Sequence, residues 1–149
     1  MKSYRLEELA GLVGAALGES APVLVDQARI DAFAAATEDR QWIHVDPARA
    51  ADGPFGATVA HGFLTLSLLP VLLESTFRID GARLGVNYGL NRVRFPAPVP
   101  AGSLLRGRFR LLAFEPVDGG AQLTVEATLA ADGAPKPACV AEAVSRWYV

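Results

Sequence analysis

Residues 61–76 read HGFLTLSLLPVLLEST, and the fold turns on this stretch. Leu, Phe and Val occur on all sides of its helical projection, the pattern of a helix enclosed by the rest of the chain. It is far short of the ~20 apolar residues that cross a bilayer. Pro70 lacks a backbone donor, so it should bend the helix or shift its register. An enclosed helix needs a surface wide enough to wrap it, and the remaining sequence must supply that surface.

It does so C-terminally. From Leu84 the hydrophobic period changes to two, giving four candidate strands within LGVNYGLNRVRF (84–95), SLLRGRFRLLAFEPV (103–117), AQLTVEATLAA (121–131) and PACVAEAVSRWYV (137–149). Leu105, Phe109 and Leu111 share one face, with Arg106, Arg108 and Arg110 on the other. Leu123, Val125, Ala127 and Leu129 likewise oppose Thr124, Glu126 and Thr128. VDGG (117–120) and ADGAP (131–135) carry the Asp-Gly signal of tight hairpins. N-terminally, YRLEELAGLVGAALG (4–18) reads as a short amphipathic helix through Leu6, Leu9, Leu12 and Val13, and PVLVD (22–26) as a short strand. Asp26 is placed to cap a second helix whose buried stripe is Ile30, Phe33, Ala34 and Thr37 and which ends near Glu38 or Asp39. DPARAADGPFG (46–56) follows as a turn of helix and a Gly/Pro-rich loop. Helices on one face of an antiparallel sheet make an α+β fold. With one long helix to be wrapped, the description becomes a hot-dog fold, and the 149 residues suit one domain.

Composition narrows the function. The formal net charge of −2 and the lack of a basic run give no attraction to nucleic acid. One cysteine, Cys139, allows neither an intrachain disulfide nor a cysteine-based zinc site, and its alternating surroundings read as a buried thiol. No metal site is expected. The N-terminus lacks the apolar core and cleavage site of a secretory signal. A soluble, cytoplasmic protein with no membrane partner is expected.

The only histidines are His44 and His61. His44 ends TEDRQWIH (37–44), five residues after Asp39. On one helix the two would point roughly 140° apart. A turn after Asp39 would instead let a carboxylate and an imidazole converge on one water as acid–base partners. The competing reading is a polar helix end beside a buried histidine. His61-Gly62 opens the enclosed helix, and first-turn N–H groups have no partner within a helix. The Gly62 N–H can hold a carbonyl oxygen on its way to an enolate; equally, glycine there serves close packing. Asn87 and Asn91 share a strand face and read as solvated. The arginine face of 106–110 reads as water-facing and partly neutralised across the sheet by Glu126.

FAAATEDRQWIHVDPARA (33–50) followed by GPFGATVAHGFLTLSLL (53–69) resembles the MaoC-like dehydratases, which include the R-specific enoyl-CoA hydratases. The resemblance covers most of the chain. It implies a hot-dog domain over residues 1–149, a 2-enoyl thioester substrate of coenzyme A or a related carrier, and no separate cofactor. Asp39 and His44 would share one water, adding hydroxide to C3 and a proton to C2. The Gly62 N–H would hold the thioester oxygen, and two copies would pair as a homodimer with their sheets side by side. Where many members have GDxNPxH, this chain has EDRQWIH, so Gln41-Trp42 replaces Asn-Pro and changes the turn chemistry. Two alternatives use the same fold: an acyl-CoA thioesterase, against which the Asp-to-His pair counts, and a non-catalytic acyl-thioester-binding module.

Overall fold

The computed structural model describes residues 1–149. Its centre is the enclosed helix, in two parts: α4 (Gly62–Ser67) and α5 (Leu69–Thr76). One residue, Leu68, interrupts the helical run between them, and Pro70 follows in the first turn of α5. A proline ring collides with the carbonyl four residues back. The adjustment is made just before Pro70, at Leu68, so the axis continues. Leu64, Leu68, Leu69 and Leu72 are buried against the sheet. No helix is long and apolar enough to cross a membrane.

The C-terminal strands are β5 (Leu84–Arg94), β6 (Ser103–Val117), β7 (Gly120–Ala131) and β8 (Cys139–Tyr148), and β2 (Ala16–Glu19) and β3 (Val23–Val25) lie along the far side of β6. The sheet is antiparallel in the order β2–β6–β7–β8–β5, with β3 also paired to β6. The alternation expected from sequence holds: Leu105, Phe109, Leu111, Leu123, Val125, Ala127 and Leu129 are buried on the helix side. On the outer side Arg110 meets Glu126 at 3.0 Å, its directly paired residue, while Arg106 meets Asp132 at 2.9 Å and Arg108 meets Glu19 at 3.0 Å. Exposed pairs of this kind contribute at most ~1 kcal/mol each. They leave each of the three β6 guanidiniums with a carboxylate partner. Cys139 is fully buried, and desolvation pushes its thiol up to about 11, so it is an inert core residue.

The N-terminal expectation needs correction. Residues 4–18 form no amphipathic α-helix. The segment comprises part of β1 (Lys2–Arg5), a 3₁₀ helix (Leu6–Leu12) and β2. Gly14 takes φ +89° and turns the chain, after which Leu17 is buried by pairing beside β6. β1 lies parallel to β4 (Phe77–Asp80), a strand that follows directly on α5. Leu6 and Leu9, read as a helix stripe, are core residues of the 3₁₀ turn.

The β5 edge departs from strict alternation. Its register against β8 slips between Asn87 and Gly89 and again between Leu90 and Arg92, leaving Tyr88 and Asn91 as bulged residues. Asn87 and Asn91 therefore lose the simple even-spacing relation, although both are exposed, as expected.

Candidate active site

Asp26 caps α1 (Gln27–Thr37) as expected, its carboxylate accepting from the Arg29 N–H at 2.9 Å. The helix ends at Glu38, which adopts the left-handed conformation with φ 66°. This is the turn that two converging side chains require. It swings the chain so that Asp39 lies across from α2 (Trp42–Val45), which carries His44. A carboxylate oxygen of Asp39 and one ring nitrogen from each of His44 and His61 lie within 4.8 Å of one another.

His44 is buried and fixed twice. Its Nδ1 donates to the Val59 carbonyl oxygen at 2.7 Å. A carbonyl can only accept, so Nδ1 carries the hydrogen and Nε2 is the nitrogen free for chemistry. Its own carbonyl accepts from Gln27 Nε2 at 2.7 Å, and the Gln27 Oε1 in turn accepts from the Thr58 hydroxyl. The first residue of α1 thus holds the backbone of the site loop. Asp39, in contrast, is exposed in the single chain. Its carboxylate makes one long bond, accepting from the Gln41 N–H at 3.4 Å.

Gly62 is the first residue of α4, next to a cleft of about 360 Å³. His44, Ile43, Gly62, Phe55, Phe95 and Pro98 are among the residues lining it. A Cβ at Gly62 would stand 3.1–3.3 Å from the Phe95 ring. The packing reading of this glycine holds, and its place at the start of α4 sets it beside His44 on the cleft.

His61 is the site residue that the sequence reading left without a role. Its ring stacks on that of His44, centroids 3.8 Å apart and planes 22° apart. The Phe33 ring lies 4.9 Å away on α1. The near-parallel stack also bears on metal binding. Imidazole lone pairs lie in the ring plane, so stacked rings do not aim at one point as chelating ligands do. His44 Nδ1 and His61 Nε2 are already engaged.

Trp42 takes the place expected for proline. It is the first residue of α2, where proline would be tolerated because no donor is needed there. Its ring is wedged between the Arg49 guanidinium, 4.3 Å from the ring centroid, and Gly53, where a Cβ would stand 2.9 Å from ring carbon. Packing of the indole thus replaces the stiffness of a proline ring, and Trp42 does not line the cleft. Gly53→Ala is expected to cost about 1–2 kcal/mol of stability by overpacking. Urea denaturation would measure it.

Residues 8–133 match the family described as MaoC like domain. The chain belongs to the MaoC-like family. It is 50% identical over 141 residues to 3-hydroxyacyl-thioester dehydratase Z of Mycobacterium tuberculosis, covering 94% of this chain and 93% of that protein. Among solved structures, the MaoC-like dehydratase from Rhodospirillum rubrum superposes with a TM-score of 0.77 at 26% identity, covering 97% of this chain and 96% of that one. The (R)-hydratase from A. caviae involved in PHA biosynthesis gives 0.72 at 28%, covering 89% and 94%. The hot-dog fold expected from sequence is the fold of this MaoC-like chain.

Proposed function

We propose that this MaoC-like chain, read as one domain over residues 1–149, hydrates 2-enoyl-CoA thioesters to (R)-3-hydroxyacyl thioesters and catalyses the reverse dehydration. The observation that carries the site assignment is the approach of the Asp39 carboxylate and the His44 ring to within 4.8 Å beside a cleft that Gly62 also lines. One water bridges such a gap with two ordinary hydrogen bonds of about 2.8 Å. Asp39 and His44 Nε2 hold that water. Its oxygen bonds to C3 while a proton passes to C2, and the C2–C3 double bond becomes single. The thioester oxygen gathers charge on the way and takes a hydrogen bond from the Gly62 N–H. Nothing in this balance calls for an electron acceptor or a separate cofactor.

The test is crotonyl-CoA with purified protein, following the conjugated thioester absorbance together with free thiol. Loss of the enoyl band without thiol supports the hydro-lyase. Thiol release would make the protein a thioesterase, and no change in either signal would make it a binding module.

A homodimer belongs to the same proposal. Leu84, Val86, Tyr88 and Leu90 on the free β5 edge are all exposed, Tyr88 by 58%, and an apolar trough links Tyr88 and Leu90 to Leu66 and Pro70 on the central helix. An edge strand with open backbone groups is a template for another strand. A second copy laid there, sheet beside sheet, buries this strip. Leu90→Asp is expected to turn a dimer into a monomer by analytical ultracentrifugation. A wild-type monomer at micromolar concentration would end this part of the proposal.

A further inference from the structure

We infer that His61 is a positioning residue for the reaction, setting the place of Asp39 relative to His44; the inference rests on the hydro-lyase reading. His61 is 2% exposed, and its Nε2 donates to the backbone carbonyl oxygen of Asp39 at 2.9 Å. The same ring lies flat against the ring of His44. One side chain therefore touches both halves of the pair: the main chain of one and the ring of the other.

The need for such a tie follows from the loop. Asp39 stands directly after the left-handed Glu38, outside any helix or strand, with its side chain exposed. Its carboxylate has only the long contact to the Gln41 N–H. No sheet or helix bond holds its carbonyl; the His61 bond does. His44, by comparison, is anchored through both Nδ1 and its carbonyl. Without His61 the pair would have one fixed member and one free one. A misplacement of ~1 Å at a reacting group can cost 10²-fold in rate.

His61 also carries a cost that an apolar ring would avoid. Its Nδ1 is buried with no hydrogen-bond partner. Such atoms are rare, and leaving one unpaired is destabilising. Phenylalanine would fill the space without that loss, but only a donor at the Nε2 position reaches the Asp39 carbonyl.

Two polar amides separate this role from simple space filling. The Gln Nε2 sits near the His Nε2 position and can still donate to Asp39. The Asn Nδ2 sits near the His Nδ1 position and cannot reach it. His61→Asn should lower kcat for crotonyl-CoA hydration about 30-fold with KM within twofold of wild type. His61→Gln should recover at least fivefold of that loss. A drop below tenfold in His61→Asn, equal losses in the two variants, or a loss carried by KM would overturn the inference. Crystal structures of both variants give a readout independent of activity. The Asp39 carboxylate should stay within 4.8 Å of the His44 ring in His61→Gln and move away in His61→Asn. If wild-type protein hydrates no thioester, the functional reading falls and this distance alone decides the role of His61. An unchanged distance in His61→Asn then overturns it.

Discussion

Asp39→Asn is expected to lower kcat for hydration of crotonyl-CoA by about 10³-fold, within the range of 10²–10⁴ for a positioned acid–base group. Asparagine keeps the size and shape of the side chain, and Asp39 is exposed, so stability should change by less than ~0.5 kcal/mol. What disappears, in the proposed mechanism, is the carboxylate that shares the water with His44. His44→Ala should lose a similar factor in rate. It also leaves the Val59 carbonyl without its donor and uncovers one face of His61. It should therefore cost stability as well, about 1–3 kcal/mol for the unpaired buried group. The double variant should be no slower than about tenfold below either single one, because in the proposed mechanism the two groups act on one water. Stopped-flow or steady-state rates with matched thermal melts check all three. Wild-type kcat in either single variant would remove the pair from the chemistry.

The second large effect concerns Gly62. Gly62→Pro should cut kcat by roughly 10²–10³, the usual loss for one oxyanion donor. The substitution deletes the N–H while the local backbone accepts proline. First helical positions tolerate it, and the preceding His61 already has φ −59° and ψ 140°, the extended conformation that a following proline demands. Crowding is the confounding factor, since any Cβ here meets the Phe95 ring at 3.1–3.3 Å. Gly62→Ala supplies the control for the Cβ contact with Phe95, with the N–H retained. A rate at least tenfold lower in the proline variant than in the alanine variant assigns the loss to the donor. Equal rates would show that Gly62 serves packing alone.

The parts of the fold legible in the sequence are those fixed by local chemistry. Asp26 caps a helix because its carboxylate reaches an N–H three residues on. The β6–β7 hairpin closes at Asp118-Gly119 because that dipeptide suits the turn. Arg110 and Arg108 pair with acids that lie opposite in register, Glu126 and Glu19, and Arg106 reaches Asp132 just beyond β7. The unread parts depend on distant partners. β1 and β4 are four residues each and exist through one parallel pairing that joins Lys2 to Phe77. Leu6 and Leu9 have helical spacing, but the same spacing serves a 3₁₀ turn. The slips in β5 follow from its pairing with β8, which no alternation in Leu84–Arg94 announces.

Of the candidate site, the sequence singles out the residues but not their geometry. Asp39 and His44 needed a turn between them, and Glu38 supplies it in a conformation uncommon outside glycine, asparagine and aspartate. His61 stood in plain view beside Gly62. Its stacking on His44 is a contact across 17 residues of sequence, and only the folded chain brings it about. Trp42 looked like a change to the site itself. Its contacts with Arg49 and Gly53 place it behind the loop, where it braces α2.

The two bulges in β5 bear on solubility. A long, bare, apolar edge would in a straight strand recruit further strands without limit, which is how fibrils grow. β5 bends at Tyr88 and again at Asn91, so an ordinary straight strand cannot follow it over its full length. A surface with the same two bends can follow it, and in the proposed homodimer a second copy supplies one. Assembly of that kind closes on itself after two copies when the contact is two-fold symmetric. In that proposal the irregular edge is a filter against aggregation, open to a matching edge and closed to straight strands.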